Sequence, residues 1–314
     1  MQELPEVQTT VNFLRNKIIG LKIVDFWADK EKPIRQAGGA AKFKKMVVGA
    51  KIKSVWRRAK YIVVDLEGPY TIFIHQKISG HLLYGKWQQL TVDNKHLTDR
   101  YGQRSDEEWI SKEGGPLKND RKNQYIRLIF FLSNGYQLAL SDLRRFGRVI
   151  LVKDDKLTDV KELKGLGPEP FDLSLLQFKK LFRKSFGGAR DKRGKLKPVL
   201  MDQTFVAGIG NIYADEILWE AGLHPLSRVE HLLTYEIEKI YRAMIKILKK
   251  AVELRGSSMD DYRLPSGEMG RAQLYHRAYQ KTGDKCAKHD GGVIERIKIG
   301  QRSAHFCPKH QVLK

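Results

Sequence analysis

The chain has 314 residues, which is enough for one large domain or two ordinary ones with a buried core. With 41% hydrophobic and 30% charged residues, its composition is that of a globular protein, and no apolar run approaches the roughly 20 residues of a membrane helix. The net charge of +22 makes a polyanion, above all nucleic acid, the first partner to consider.

A secretory signal begins with basic residues that are followed by an apolar stretch, and the start of the chain, MQELPEV, has neither. We therefore expect a cytoplasmic protein with no membrane partner. The positive charge is clustered. Residues 32–60 hold ten basic residues and no acid, and residues 179–197 hold nine basic residues and only Asp191 as an acid. Such clusters favour phosphate binding over a merely solvated surface.

The spacing of the hydrophobic residues changes about halfway along the chain, from a strand-like to a helix-like period. A helix is predicted from Pro5 to about Lys17, followed by short runs of β type that indicate a sandwich or barrel. The polar segment at about 86–124 is most simply a long surface insertion. The predicted strands are Lys22–Phe26, Lys51–Trp56, Tyr61–Leu66, Tyr70–His75, Ile126–Phe131, Gln137–Leu140 and Arg148–Val152.

The second half is predicted to be helical. GLGPEPF at 165–171 has the composition of a linker, and helices are expected at about 175–185, 196–202, 212–221 and 229–252. Asn211, after Gly208-Ile209-Gly210, is expected to cap the third of these helices. Its N-terminus could bind phosphate, although an ordinary capped helix explains the same pattern. The predicted domains are 1–160, a linker at 161–174, 175–275, and 276–314.

The two cysteines each begin a Cys-x-x-His unit, and 17 residues separate the two units. A tetrahedral zinc site on a β-hairpin suits this pattern, with Cys286, His289, Cys307 and His310 as ligands to one structural ion. Two free thiols near surface histidines remain an alternative, and His305 could compete as a ligand.

Seven segments carry a further signal, namely ELPEV, WRRAKY, HQKISGHL, DLRRFGR, GLGPEP, the block at 201–225 and IKIGQRSAHFCPKH. Together they resemble the formamidopyrimidine-DNA glycosylase and endonuclease VIII family, in the family's order and along the whole chain. The resemblance implies an α+β protein with an N-terminal β-sandwich, a helix-two-turn-helix domain and a C-terminal zinc-binding hairpin. It also implies a monomer that binds double-stranded DNA with oxidised bases or abasic sites, excises oxidised purines and cuts the strand.

The resemblance also implies residue roles. Glu3 matches the general acid/base, and Glu6 matches a supporting carboxylate. Lys60 matches a contact to the phosphates of the lesion nucleotide. The residues that match those filling the gap left by a flipped base are Ile78, Arg144 and Phe146, and those that match other DNA contacts are Lys197, Asn211 and Arg302.

One departure from the family bears directly on catalysis. The family begins Met-Pro-Glu and uses the proline amine as nucleophile, whereas this chain begins Met1-Gln2-Glu3. An α-amine suits Schiff-base chemistry because its ordinary pKa, roughly 7.7–8.0, lies well below that of lysine. The candidate nucleophile is therefore the amine of Gln2 or Met1, and Lys60 is an alternative. The alternatives are a silent lesion-binding protein and a generic DNA-binding module.

Overall fold

The computed structural model describes residues 2–29, 34–35, 38–90, 97–98, 104–105, 108–160, 162–183, 185, 188 and 192–314. The chain forms two compact units. Unit 1 comprises Met1–Gln2, Glu6–Lys164 and Arg255–Gly270, and unit 2 comprises Glu3–Pro5, Gly165–Leu254 and Arg271–Lys314. None of the helices in the described ranges combines the length and apolarity that crossing a membrane requires.

Unit 1 is a β-sandwich. Its strands are β1 Ile23–Ala28, β2 Ile34–Arg35, β3 Ile52–Arg58, β4 Tyr61–Leu66, β5 Tyr70–His75, β6 His81–Gly85, β7 Trp87–Leu90, β8 Leu97–Thr98, β9 Arg104–Ser105, β10 Glu108–Ser111, β11 Ile126–Leu132, β12 Gln137–Ser141 and β13 Arg148–Lys153. One sheet has the strand order β1-β11-β12-β6 and the other β2-β13-β5-β4-β3, with one parallel pair, β13 with β2.

The core of the sandwich is apolar because alternate residues of both sheets turn inward. Helices α1, Leu4–Ile18, and α2, Ala40–Val47, pack on it. In α1 the buried positions recur every three or four residues, which is the period of one helix face. These positions are Val7, Val11, Leu14 and Ile18.

The described residues of the insertion at 86–124 include regular structure that its polar sequence does not predict. Strands β7 and β10 pair in an antiparallel hairpin, and helix α3, Pro116–Asn119, follows. Trp87, Trp109 and Leu117 are buried in a cluster of their own against the four-stranded sheet. A few large side chains therefore bury enough apolar surface to order this segment, although most of its residues are polar.

Unit 2 is helical and ends in a hairpin. Its helices are α4 Leu175–Phe182, α5 Leu196–Met201, α6 Asn211–Ala221 and α7 Thr234–Glu253, and its strands are β14 Glu295–Ile299 and β15 Arg302–Phe306. The last predicted helix begins later than expected, because residues 229–231 form a separate short 3-10 turn. Helix α6 ends at Gly222, whose φ of 71° is the left-handed conformation that stops helices.

Candidate functional site

In unit 2, the carboxylate of Glu3 lies at the N-terminus of α6. It accepts hydrogen bonds from the backbone N–H groups of Gly210 at 2.7 Å, Ile212 at 2.9 Å and Tyr213 at 3.3 Å. Glu3 is buried, and a carboxylate at this end of a helix is also stabilised by the helix dipole. Leu4 extends the contact through a backbone bond to the carbonyl of Gly208, so the chain start is fixed against this turn.

This arrangement corrects the prediction for Asn211. Gly210 occupies the N-cap position, and Asn211 is the first residue of the helix, with no capping hydrogen bond from the side chain. The N–H groups expected to bind a phosphate are already bound to Glu3. Sequence reasoning placed the cap locally, whereas the acceptor comes from the other end of the chain. The Oδ1 atom of Asn211 is buried and has no hydrogen-bond partner.

Lys197, predicted as a phosphate contact, is instead buried in unit 2. Its Nζ lies 2.7 Å from Oδ1 of Asp215 and donates to the carbonyl of Ser303 at 2.5 Å. Burial lowers the pKa of Lys197, and the charge of Asp215 partly offsets this effect. The other oxygen of Asp215 lies 2.9 Å from Nδ1 of His305, so this histidine is engaged here. The lysine therefore serves to hold α5, α6 and β15 together.

In unit 1, Gln2 and Glu6 are both buried. The backbone N–H of Gln2 donates to the carbonyl of Lys77 at 3.1 Å, while its side-chain Oε1 has no partner. Met1 lies outside the described residues. Glu6 Oε1 accepts from the N–H of Ser257 at 2.8 Å. Glu6 thus has a fixed position, and Gln2 lies next to the turn that carries Ile78.

The surroundings of Lys60 are strongly positive. Lys60 lies buried after β3, and its charge acts on His75 together with those of Lys77 and Arg148. Burial is the largest cause that lowers the pKa of His75 well below its ordinary value, and repulsion by these three cations adds to it. The ring is therefore neutral, and its Nδ1 accepts from the N–H of Lys77 at 3.0 Å. Such a cluster of cations around a neutral histidine suits an anionic ligand.

The residues that match those filling the gap left by a flipped base lie on two turns that share hydrogen bonds. We call these the paired turns; one carries Ile78 and the other Arg144 and Phe146. Ile78 and Phe146 are exposed, at 36% and 42%, and the guanidinium of Arg144 lies over the Phe146 ring at 4.8 Å. Ser79 connects the turns, because its Oγ donates to Asp142 at 2.5 Å and accepts from the N–H of Arg144 at 3.0 Å. Large apolar groups held outward by buried polar bonds are the arrangement that insertion into a base stack requires.

Four potential metal ligands converge beside the terminal hairpin. Donor atoms of Cys286, Asp290, Cys307 and His310 all lie within 4.8 Å of one another. His289, predicted as a ligand, is exposed and is not among them. Its φ of 56° closes a tight turn, in which its N–H bonds to the carbonyl of Cys286, and the next residue, Asp290, takes the fourth position.

The orientation of His310 suits metal binding. Its Nε2 lies 3.0 Å from the carbonyl of Trp219, which can only accept, so the proton belongs on Nε2. Nδ1 is then the free lone pair, and it lies 3.4 Å from Sγ of Cys286 and 3.2 Å from Asp290. Two thiols, one carboxylate and one imidazole form a donor set that zinc accepts, with a carbonyl holding the second nitrogen of the ring.

Arg302 lies exposed at the start of β15.

Sequence reasoning missed Asp290 and Asp215. Asp290 directly follows the Cys-x-x-His unit, so a carboxylate one residue beyond a predicted ligand was the available signal. Asp215 lies fully buried within α6. Its importance is visible only in the structure, where its carboxylate pairs with Lys197 and His305. Nothing in the sequence pairs it with Lys197.

Comparison with known proteins agrees with this geometry. Residues 1–149 match the family model of the formamidopyrimidine-DNA glycosylase N-terminal domain, and residues 166–263 match that of its H2TH domain. The chain is 34% identical to a formamidopyrimidine-DNA glycosylase of Pelotomaculum thermopropionicum over 316 aligned positions, covering 100% of both sequences. The chain belongs to the formamidopyrimidine-DNA glycosylase family. A relative from Lactococcus lactis subsp. cremoris is 32% identical, with 98% of each sequence covered.

Solved structures of the same family are also similar. A Lactococcus lactis Fpg in complex with DNA that contains an abasic site superposes with a TM-score of 0.77 at 29% identity, covering 98% of this chain and 99% of that one. A complex of the Lactococcus lactis Fpg with Fapy-dG-containing DNA gives a TM-score of 0.76 at the same identity and coverage. Membership makes the chain a DNA glycosylase of base excision repair, with the helix-two-turn-helix fold of that family.

Proposed function

We propose that this glycosylase excises oxidised purines, such as 8-oxoguanine and formamidopyrimidine, and then cuts the strand at the abasic site. The observation that carries the proposal is the position of Glu3, whose carboxylate is fixed by three backbone N–H groups directly after the chain start. An acid/base group held this tightly beside the α-amine suits nucleophilic attack at C1′ of the sugar.

The N-terminal α-amine is the proposed nucleophile, on Gln2 after removal of Met1. Its attack on C1′ forms a nitrogen–carbon bond as the bond to the base breaks, and loss of a proton and opening of the sugar give a Schiff base. Elimination of the 3′ phosphate then cuts the strand. Lys60 is a weaker candidate, because it lies in a buried cationic cluster where a phosphate is the natural partner.

DNA contacts are proposed for Ile78, Arg144 and Phe146 on the paired turns, for Asn211 at the start of α6, and for Arg302 on the hairpin. The exposure of Ile78, Arg144, Phe146 and Arg302 supports this role. Lys197 is buried, so we propose that it supports the site through Asp215 rather than by contact with a phosphate.

We further propose one structural zinc ion held by Cys286, Asp290, Cys307 and His310. The ion would fix the hairpin that carries Arg302 and would take no part in bond cleavage. Because classical zinc hairpins depend on the metal for folding, a chelator should loosen residues 284–310 before the rest of unit 2.

A silent lesion-binding protein is the second candidate, and Gln2 is the observation that favours it. A primary amine on a flexible residue is less constrained than the family's proline, and displacement by one residue, up to about 3.6 Å, would misalign it. In this case Glu3 and the paired turns would bind an abasic site without forming a covalent bond.

Borohydride trapping decides between the two candidates. The chain is incubated with duplexes containing 8-oxoguanine or an abasic site, and intact-mass analysis establishes whether Met1 is present. A reduced adduct that maps to the first residue supports the enzyme, and an adduct on Lys60 moves the nucleophile there. Tight lesion binding with neither adduct nor strand cleavage contradicts the enzyme and leaves the binding protein.

A further inference from the structure

Gln76, directly after β5, carries a buried amide without a hydrogen-bond partner. The residue is only 1% exposed, and neither its Oε1 nor its Nε2 bonds to any group in the part of the chain that the structure describes. A buried amide without a partner costs free energy, and most such groups in folded proteins are paired. Gln76 therefore has a donor and an acceptor to offer, and their position decides what they can bind.

The turn that follows β5 holds Gln76 in a fixed place. The N–H of Gly80 donates to the carbonyl of Gln76 at 3.1 Å, and the N–H of Lys77 donates to Nδ1 of His75 at 3.0 Å. A Cβ on Gly80 would lie 2.5 Å from the carbonyl oxygen of Gln76, so any side chain there would clash with the backbone of this turn. The backbone that carries the Gln76 side chain is therefore ordered before a ligand binds.

The start of the chain is bound to the same turn. The backbone nitrogen of Gln2 donates to the carbonyl of Lys77 at 3.1 Å, and Lys77 is the next residue after Gln76. Continuing the alternation of β5 by one residue places Gln76 on the face of Ile74, which packs in the sandwich core together with Val7 of α1. The amide of Gln76 and the nitrogen of Gln2 therefore lie at the same corner of unit 1, where the chain enters α1.

Removal of Met1 changes the hydrogen bonds that this nitrogen requires. A peptide nitrogen has one hydrogen, and the carbonyl of Lys77 already accepts it. An α-amine has two hydrogens when neutral and three when charged, so a buried amine needs at least one more acceptor. The Oε1 atom of Gln76 is such an acceptor, and unlike a carboxylate it has no charge that would keep the amine protonated.

We propose that Oε1 of Gln76 accepts a hydrogen bond from the α-amine of Gln2 and, together with the carbonyl of Lys77, directs the nitrogen lone pair towards the sugar. This inference rests on the proposed function, in which that amine is the nucleophile. Two acceptors fix two N–H directions, so the lone pair keeps one orientation instead of rotating about the bond to Cα. Gln76 is thus a positioning residue, because it acts through the amine and not on the DNA.

Gln76→Leu, made in the full chain, separates positioning from a structural role. Leucine is similar in size and removes an unpaired amide from a buried place, so the free energy of unfolding should stay equal or rise. Loss of the acceptor should slow borohydride trapping on an abasic duplex by about tenfold, the scale of one hydrogen bond. A merely structural glutamine would lose stability and trapping together. Gln88→Leu is the matched control, because Gln88 is exposed on β7.

Gln76→Glu tests the contact without any DNA. A carboxylate in contact with the α-amine favours the charged amine and should raise the pKa of that amine by at least about 1. This pKa is measured from the pH dependence of trace acetylation at the first residue, read by mass spectrometry of the N-terminal peptide. Glu3 follows the amine and Lys77 lies on the turn, but both are common to all variants. Gln88→Glu is the control and should leave the pKa of the amine unchanged.

Either measurement can overturn the proposal. Trapping by Gln76→Leu within about twofold of the parent, a joint loss of stability and trapping, or equal amine pKa values in Gln76→Glu and Gln88→Glu would each contradict it. Retention of Met1 also overturns it, because the nitrogen of Gln2 is then a peptide nitrogen. If the parent forms no adduct, the proposed enzyme fails instead, and the pKa of the amine alone decides whether Gln76 binds it.

Discussion

Replacing Gly210 with alanine tests whether α6 sets the position of Glu3. Gly210 has a φ of −134°, which alanine adopts readily, so the backbone should tolerate the change. A Cβ there would lie 2.4 Å from Cδ and 2.5 Å from Oε1 of Glu3, far inside van der Waals contact. The carboxylate must move away and give up at least one of its N–H donors.

The magnitude follows from the bonds that are lost. A hydrogen bond to an ionised acceptor is worth about 1.5–3 kcal/mol, which corresponds to a rate loss of about 10–150-fold if the geometry of Glu3 limits excision. We expect Gly210→Ala to lower single-turnover excision of 8-oxoguanine by this factor. The far-ultraviolet circular dichroism should stay unchanged, because the clash falls on a side chain rather than on the helix.

Gly114→Ala is the matched control. A Cβ at Gly114 meets nothing within 4 Å, so the same chemical change is made in open space. Its excision rate should equal that of the parent. If Gly210→Ala retains excision within about twofold of the Gly114→Ala control, Glu3 is not positioned by α6, and the central observation behind the proposed function is refuted.

Three further predictions concern the metal, the pH dependence and the buried lysine. Asp290→Ala should lose zinc on dialysis against a chelator while His289→Ala retains one ion, as measured by mass spectrometry of the metal; the opposite result would exchange the two ligand assignments. His81 has a pKa of about 4 when folded against 6.5 as its ordinary value, so the unfolded chain binds more protons between these values. The free energy of unfolding should therefore fall by about 3 kcal/mol from this group as the pH drops from 6.5 to 4, and urea titrations of His81→Gln should show a correspondingly shallower pH dependence. Lys197→Met should cost about 3–5 kcal/mol in urea unfolding, because Asp215 loses a buried partner; a cost below about 1 kcal/mol would show that the pair is not structural.

The sequence predicted the elements whose pattern is local. Strands β4 and β5 begin and end at the predicted residues. Runs of apolar and β-branched side chains favour a strand through the residues that are adjacent in sequence, so the sequence alone is enough to locate them. The sandwich, the helical second half and the terminal hairpin are confirmed for the same reason. Strand β6 and helix α2 were not predicted, since their short segments carry a weak periodicity.

Long-range partners were beyond such reasoning. The acceptor for the N-terminus of α6 is Glu3, the partner of Lys197 is Asp215, and the support for Gly267 is Asn123. In each case the two residue types are common, and only the folded chain makes the pair specific. The resemblance supplied the list of site residues, but it could not show that Lys197 is buried against Asp215 or that Glu3 occupies the N-terminus of α6.

The hydrogen bond from Gly210 to Glu3 spans 207 residues, so residues synthesised much earlier complete the N-terminal turn of α6. Helix α6 therefore cannot finish this turn locally, and Glu3 must remain accessible until the turn has been synthesised. A purification tag placed before Met1 would lie close in sequence to the buried Glu3, whereas one placed after Lys314 would not. Preparations tagged at the two ends should therefore differ in refolding rate as well as in activity.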